Sequence, residues 1–442
     1  MNIQLSDHFN YGKMLRFTVP SIIMLIFTSI YGVVDGFFIS NFVGKTPFAA
    51  VNFIMPVLMI LGSIGFMFGS GGSALIAKTL GEGNKKKAKE LFSLFIYTTI
   101  FLGIIISLLG IIFLRPISHL LGARGDMLND CVTYGRIIIA ALPFYMLQFE
   151  FQTFFITAEK PQLGLFVTVL SGVTNMVLDA LFVMVFKWGL VGAALATGIS
   201  QAVGGIIPLI YFSLPNKSLL RFTKTSFDKR ALVKASTNGS SELMSNISIS
   251  VVSMLYNVQL MKYAGENGIA AYGVLMYVSM IFIATFIGYS TGIAPVIGYH
   301  FGARNNSELR GLLKKSLVIT GVFSVCMLIV SESLAYPLSN IFVGYDDKLM
   351  ALTLRGFLIY SFGFLFSGFA IFGSAFFTAL SDGLTSALIS FLRSLLFQVA
   401  AVLILPVFFG IDGVWISIVL AEVMAVIISG IFLIIKRKKY SY

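Results

Sequence analysis

Apolar runs of about 18 residues or more recur along the whole chain of 442 residues. Each run is long enough for a helix to cross the hydrocarbon core of a bilayer. One soluble core cannot bury so many runs, and only 11% of the residues are charged, against about 25% in soluble domains. The expected solvent is therefore lipid, and the length of the runs favours helices over the short strands of a membrane barrel.

Basic residues fix the expected orientation of these helices. We predict twelve spans, at 13–40, 46–77, 90–114, 127–158, 162–186, 190–213, 232–262, 268–300, 310–335, 348–379, 384–408 and 412–435. The connections after even-numbered spans and both termini are rich in Lys and Arg, as at 85–89 and 436–439. Because positively charged loops stay in the cytoplasm, both termini are expected there. The same clustering accounts for the net charge of +12 without a nucleic-acid partner.

The chain divides into two similar halves around one polar stretch. We predict a first lobe at 1–214, a cytoplasmic linker at 215–231 and a second lobe at 232–442. Phe155-Ile-Thr-Ala matches Phe376-Phe-Thr-Ala, and Ser70-Gly-Gly-Ser-Ala matches Ser290-Thr-Gly-Ile-Ala, at an interval of about 220 residues. Six helices per half give a parallel repeat, the arrangement of alternating-access carriers. A duplicated scaffold without transport is the alternative.

Ionisable residues inside the apolar runs indicate functional positions, because a charge in the bilayer is costly. Asp35 lies deep in the first span, and Tyr31 lies one turn earlier on the same helical face. Asp179 lies in the fifth span, with Asn175 one turn earlier. Carboxylate and amide oxygens suit a bound proton or a hard cation such as Na⁺. Helix packing by hydrogen-bonded polar groups is the competing interpretation for both acids.

Further polar residues are candidates for the same ion or for a substrate cavity. Thr197 in the sixth span and Tyr134 at the start of the fourth span could add hydroxyl oxygens to the ion site, although such residues often only join helices. Pro20 could kink the helix that carries Asp35, unless it lies in the first turn. The residues expected to border a substrate cavity are Tyr31, Gln148, Glu150, Gln152 and Glu242. Arg393 and Glu422 also lie inside spans, where pairing with a neighbour or snorkelling to the interface would satisfy them.

Several enzyme classes lack their residues here. Gly44-Lys45-Thr46 has no earlier glycine to make a phosphate-binding loop, and the three histidines lie far apart in sequence. Cys131 and Cys326 are read as small apolar residues and not as a disulfide. We therefore expect a transporter and not an enzyme, with no cofactor apart from the coupling ion.

The order of these features along the chain resembles that of the multidrug and toxic compound extrusion (MATE) family. Within that family the chain is most similar to the MepA-like bacterial subgroup. The resemblance rests on twelve spans in two lobes, the glycine-rich ends of spans two and eight, and the polar set of the first lobe. It implies a V-shaped pair of six-helix lobes in a bacterial plasma membrane, acting as a monomer. It also implies antiport of cationic or amphipathic drugs against H⁺ or Na⁺. Pro20 then matches the family's helix-bending proline, and Asp35, Asn175, Asp179, Thr197 and Tyr134 match its first-lobe cation site, with Asp35, Asn175 and Asp179 as metal ligands if the ion is Na⁺.

One departure and three rival functions remain. Some relatives carry an acid in the tenth span, whereas Leu354 to Leu380 contains none, so a second-lobe ion site of that kind is not expected. The main rival is a flippase for lipid-linked precursors, which should have a strongly basic cavity. A membrane-embedded enzyme should cluster His, Asp or Arg at one face, and a channel should have a polar lining along its pore.

Overall fold

The computed structural model describes residues 3–442, apart from the side chain of Lys45. Its α-helices are α1 (Tyr11–Phe38), α2 (Lys45–Gly81), α3 (Lys85–Leu120), α4 (Gly125–Ala140), α5 (Leu142–Thr157), α6 (Pro161–Asp179), α7 (Gly189–Ser213), α8 (Lys229–Gly302), α9 (Asn306–Val343), α10 (Asp347–Ser361), α11 (Phe364–Ala379), α12 (Gly383–Phe391), α13 (Phe397–Phe409) and α14 (Ile411–Tyr440). Three π-helical segments, Ile39–Val43, Ala180–Val185 and Leu392–Leu396, continue α1 and α6 and join α12 to α13.

These helices give the twelve predicted spans. Within the described residues, nine helical segments are long and apolar enough to cross a membrane, and two bent pairs, α4 with α5 and α10 with α11, supply one span each. The segment α8 has 74 residues and contains two spans, because Gly265 interrupts it with a φ of 63°. The all-helical membrane fold expected from the sequence is therefore confirmed.

Two spans that the sequence predicted as single helices are bent. The fourth bends by 54° between α4 and α5, and the tenth bends by 48° between α10 and α11. The first bend lies beside Pro143, which has no backbone N–H to continue the hydrogen bonding of α4. Tyr134, which the sequence places at the start of the fourth span, lies on α4, in the part of the span before the bend.

Glycines bring α2 and α8 into backbone contact where the two halves meet. A Cβ on Gly81 would lie 1.9 Å from the carbonyl oxygen of Tyr299, and one on Gly302 would lie 2.0 Å from that of Lys78. Deeper in the bundle, a Cβ on Gly239 would lie 1.9 Å from the carbonyl oxygen of Met67. Only glycine allows these approaches, so these three glycines form the helix crossing between the halves.

Residues 3–10 and the C-terminal residues lie at this same end of the bundle, which we call the terminal face. The backbone N–H of Leu5 donates to Glu159 Oε1 at 2.6 Å, and that of Phe9 donates to Glu308 Oε1 at 2.8 Å. His8 Nδ1 lies 2.6 Å from the other oxygen of Glu308. Leu5 and Phe9 are fully buried. Because Glu159 belongs to the first half and Glu308 to the second, residues 3–10 bridge the halves at the terminal face.

The segment between α7 and α8 also packs on the terminal face. Thr223 donates its backbone N–H to Ser93 Oγ at 2.9 Å, and Lys87 Nζ lies 3.0 Å from Asp228 Oδ2. Helix α8 begins at Lys229, inside the stretch predicted as linker. The division at 1–214, 215–231 and 232–442 stays a prediction.

Candidate functional site

The first half brings α1 against α6 at a glycine. Gly172 has no side chain, and a Cβ there would lie 2.5 Å from the ring of Phe27 and 2.8 Å from that of Tyr31. This close approach of two aromatic rings of α1 to the backbone of α6 places the C-terminal part of α1, with Asp35, beside the C-terminal part of α6, with Asp179. Two acids that are 144 positions apart in sequence therefore become neighbours.

Hydrogen bonds connect Asp35 to α6 and α7. Thr197 Oγ1 donates to Asp35 Oδ1 at 3.3 Å and accepts from Asn175 Nδ2 at 3.4 Å. Both distances are at the long end of the range for hydrogen bonds, so the contacts orient the side chains more than they hold them. The polar set predicted from i, i+4 spacing is thus brought together by three helices.

Several buried oxygens in this cluster have no partner among the described residues. They are both carboxylate oxygens of Asp179, the amide oxygen of Asn175 and the hydroxyl of Tyr134. Tyr134 lies on α4 and its hydroxyl is close to Asp35, Asp179 and Thr197. A buried polar atom without a hydrogen bond is costly, so such a set is unusual unless it binds something.

Both acids lie where α-helical hydrogen bonding gives way to a π-helical segment. Asp179 is the last residue of α6, and the segment Ala180–Val185 follows it directly. Asp35 lies in the last turn of α1, just before the segment Ile39–Val43. π-Helical turns in α-helices are frequent at functional positions, because they free carbonyls and reorient side chains.

The donor set fits a small hard cation or a proton. Two carboxylates, an amide oxygen and two hydroxyls are all oxygen donors, the kind preferred by hard cations. Two carboxylates at close range in a low-dielectric interior repel each other, and a cation between them removes that repulsion. The described residues contain no cluster of three or more His, Cys, Asp or Glu side chains.

Tyr31 and Gln148, both expected to border a substrate cavity, adjoin this cluster. The hydroxyl of Tyr31 lies next to Gln148, whose Nε2 lies 3.4 Å from Ser171 Oγ. Gly204 gives Gln148 its space, since a Cβ there would lie 2.7 Å from Gln148 Cδ. Gln152, one turn later on α5, donates to Thr168 Oγ1 at 3.3 Å. The amides of α5 therefore face α6 on the same side as the acids.

The structure does not bring Glu150 and Glu242 into this group. Glu150 lies two residues after Gln148, about 200° around the helix, and faces Thr99 of α3 instead. It is fully buried, and neither carboxylate oxygen has a partner among the described residues. Glu242 lies in the second half, half-buried, one turn after Gly239 on α8. That all five predicted residues border one substrate cavity stays a prediction.

Pro20 lies in the interior of α1, at the tenth residue of that helix, and not in its first turn. The helix stays α-helical from Tyr11 to Phe38. Because proline has no backbone N–H, the carbonyl of Arg16 loses its helical partner, which makes this turn the weakest of α1. The bending role predicted for Pro20 is compatible with this position and stays a prediction.

Sequence reasoning missed the partners that lie far away in the chain. Arg393 and Glu422, left between pairing and snorkelling, form a bidentate ion pair with contacts of 2.9 and 2.8 Å. Glu308 was not singled out, although Asn305 three residues earlier has the spacing of a helix cap and accepts the Glu308 N–H. That cap was the one local signal available for Glu308.

Comparison with known proteins settles the family. The sequence profile of MatE matches residues 20–181 and 243–404, one stretch in each half. The chain belongs to the MatE family. The resemblance drawn from the order of its sequence features is thereby confirmed.

Relatives of this MatE-family chain agree in length and fold. The protein named multidrug export protein MepA of Staphylococcus saprophyticus is 27% identical over 439 residues, covering 97% of this chain and 94% of that protein. The protein of the same name from Staphylococcus haemolyticus is 27% identical over 421 residues, covering 93% and 90%. A solved structure described as the outward-facing conformation of a multidrug resistance MATE family transporter of the MOP superfamily has a TM-score of 0.94 at 22% identity, covering 100% of this chain and 98% of that one.

Proposed function

We propose that this chain is a secondary active exporter, which exchanges cationic or amphipathic organic compounds for H⁺ or Na⁺ by alternating access. The observation that carries the proposal is the meeting of Asp35 and Asp179 in one buried cluster with Asn175, Thr197 and Tyr134. Two acids and several unpartnered oxygens inside a membrane bundle are costly without a cation. The names of the MepA relatives support export as the direction and drugs as the substrate class.

The ion acts on the position of α1. A proton or Na⁺ bound at Asp35 and Asp179 neutralises their repulsion and lets the two helix ends approach. Without it, the carboxylates push α1 and α6 apart and favour a different arrangement of α1. The ion must bind the two arrangements unequally, since an ion with equal affinity for both would drive nothing.

Helix α1 connects the ion site to the contact between the halves. Its Ile22 is held against α8, where a Cβ on Gly288 would lie 2.6 Å from Ile22 Cα. Thr18 packs on Gly292 one turn further along. Asp35 lies 13 residues beyond Ile22, or about 20 Å along the helix. A shift of α1 at the ion site is therefore transmitted to the crossing that closes the terminal face.

Orientation follows from the charge pattern of the loops. We place the terminal face on the cytoplasmic side of a bacterial plasma membrane, because the Lys-rich connections lie there. The glycine contacts close this face, so the conformation described here is the one that releases substrate outward. A flippase for lipid-linked anions would need a free cationic lining, and Arg393, which lies inside a span, has its charge neutralised by Glu422.

The test is ethidium efflux from proteoliposomes under an imposed pH gradient or an imposed Na⁺ gradient. Wild type, Asp35→Asn and Asp179→Asn are compared at equal reconstitution. We expect one of the gradients to drive efflux by the wild type, and both variants to lose that efflux. Asp412→Asn is the matched control, since it removes a carboxylate that pairs with the exposed Arg355 outside the cluster.

The outcomes separate the parts of the proposal. Efflux by wild type and by Asp412→Asn, with loss in both cluster variants, supports the ion site and names the ion. Full gradient-driven efflux by Asp35→Asn or Asp179→Asn would refute the assignment of the cluster. If folded wild type moves no ethidium under either gradient, the drug-exporter proposal is wrong and endogenous organic substrates come next.

A further inference from the structure

The second half holds a buried ion pair between Arg393 and Glu422. Arg393 Nε lies 2.9 Å from Glu422 Oε2, and Nη2 lies 2.8 Å from Oε1, so the guanidinium and carboxylate meet through two parallel bonds. The side chains are 18% and 6% exposed. Arg393 lies in the π-helical segment Leu392–Leu396, and Glu422 lies on α14. This is the geometry in which Arg binds a carboxylate most strongly.

The internal repeat shows where this pair lies relative to the ion site. Gly44 follows the π-helical segment that continues α1, and Gly265 interrupts α8. Both glycines have a positive φ. Counting back nine residues from each glycine gives Asp35 in the first half and Tyr256 in the second. Tyr256 donates to Gln398 Oε1 at 2.7 Å, a contact between neutral groups. The second half therefore has a tyrosine where the first has its acid.

The remaining members of the cluster are also replaced. Gly44 and Gly265 are 221 residues apart, the same interval that separates Gly81 from Gly302. At this interval the counterparts of Asn175, Asp179 and Thr197 are the apolar residues Leu396, Ala400 and Ile418, and the counterpart of Tyr134 is Arg355, which pairs with Asp412. The second half has lost the oxygen donors of the first.

The ion pair occupies the equivalent place between helices. Arg393 lies 221 residues after Gly172, and Glu422 lies 221 residues after Gln201. The two residues of the pair are therefore on the helices that correspond to α6 and α7. These two are the helices that supply Asn175, Asp179 and Thr197 in the first half. Arg393 and Glu422 thus lie between the two helices that are equivalent to those forming the proposed ion site of the first half.

We propose that the guanidinium of Arg393 is a permanent cation of the second half. It is bound to Glu422 in the way that the exchangeable ion is bound to Asp35 and Asp179 in the first half. A guanidinium stays protonated in proteins and is tied covalently to its helix, so it cannot leave with the transport cycle. The second half then takes up no coupling ion, and the Asp35 and Asp179 cluster carries all of the coupling charge. This inference rests on the proposed function only for its consequence in transport.

Removal of the guanidinium tests the proposal directly. Arg393→Met leaves Glu422 buried without a partner, a state that a protein avoids by binding a proton or another cation. The titratable side chains near Glu422 include Tyr256 and Tyr360, which supply no positive charge. Arg393→Met is therefore expected to gain one bound proton or Na⁺ per chain. Arg393→Lys, which keeps the charge, is expected to gain none.

The first measurement needs no transport. Infrared spectra of the purified full-length chain in lipid nanodiscs at neutral pH report protonated carboxyls, and radioactive Na⁺ binding reports the alternative cation. We expect Arg393→Met to show an added carboxyl band or an added Na⁺, absent from wild type and from the double variant Arg393→Met with Glu422→Gln. If folded Arg393→Met shows neither, the guanidinium is not the counter-ion that Glu422 requires and the proposal is overturned.

The second measurement covers the case in which Arg393→Met does not fold. The double variant replaces the pair by neutral side chains of similar size, a change that is often tolerated for buried ion pairs. We expect it to exchange the same number of ions per ethidium as wild type. A changed ratio would place the pair in the coupling mechanism and overturn the proposal. If wild type moves no ethidium, the proposed function fails, while the nanodisc result still decides the role of Arg393.

Discussion

The helix crossing at Gly81 allows a quantitative prediction about the equilibrium between conformations. In Gly81→Ala, the new Cβ would lie 1.9 Å from the carbonyl oxygen of Tyr299 and 2.8 Å from the backbone nitrogen of Ala303. Real Cβ contacts essentially never fall below 3.0 Å, so α2 and α8 must part by about 1 Å. Both contacting atoms are backbone atoms, so no side chain can rotate away.

The cost follows from this clash. Overpacking a well-packed contact costs about 1–3 kcal/mol. This cost falls on the conformation in which the terminal face is closed, and it is absent once the halves separate there. A difference of that size changes the ratio of two populations by about 5–150-fold. Gly81→Ala should therefore move the protein toward the arrangement that is open at the terminal face.

Distances between spin labels measure this shift. Lys86 and Ser307 are exposed, follow α2 and α8, and belong to different halves, which makes them suitable label positions after Cys131 and Cys326 are changed to serine. Wild type should show mainly a short distance across the terminal face. Gly81→Ala should show a second, longer distance with a larger share of the molecules.

The control is a glycine substitution without a clash. Gly430 lies on α14, and a Cβ there would meet nothing within 4 Å. Gly430→Ala should leave the distances unchanged and stabilise the helix by about 0.5–1 kcal/mol. If Gly81→Ala keeps the wild-type distance distribution, the glycine crossing does not control closure and the reasoning is refuted.

Three further predictions concern the terminal face and α1. Glu308→Gln should loosen residues 3–10, because the charged acceptor for the Phe9 N–H is lost. Hydrogen exchange of the Phe9 amide should therefore become faster, and an unchanged exchange rate would count against the bridging role of residues 3–10. Burial raises the pKa of Asp382, but bonds from Tyr440, Thr385 and Lys436 outweigh it and hold the pKa below its usual range. The stabilisation by Asp382 is then present above pH ~4 and lost as pH falls further, so melting curves of wild type and Asp382→Asn should differ at neutral pH and converge in acid. Pro20→Ala restores a helical hydrogen bond to α1 and should slow efflux while ion binding stays the same; equal efflux rates would argue against bending at Pro20.

Local spacing predicted the part of the site that lies on one helix. Asn175 and Asp179 are one turn apart, so their common face could be read from the sequence. The number of spans followed in the same way from apolar length and loop charge. These features depend on residues that are close in the chain, and the structure has them as expected.

Contacts between distant helices could not be read in this way. Asp35 becomes a neighbour of Asp179 because α1 approaches α6 at Gly172. Arg393 pairs with Glu422, 29 positions later in the chain, because their two helices pack together. Glu150 was grouped with Gln148 because both are polar, although two residues turn a helix by about 200°. Which face meets which neighbour is decided by packing, which one sequence does not display.

The central claim is that binding of the coupling ion at the Asp35 cluster drives the release of substrate, so that ion and substrate compete for the chain. Ethidium binding to the purified chain in nanodiscs, titrated at several pH values and Na⁺ concentrations, measures this competition most directly. Linkage requires that the ion which drives transport lowers ethidium affinity, and that ethidium lowers ion affinity by the same factor. We predict this reciprocal loss in wild type and its absence in Asp35→Asn. An ethidium affinity in wild type that is independent of both pH and Na⁺ would contradict the account.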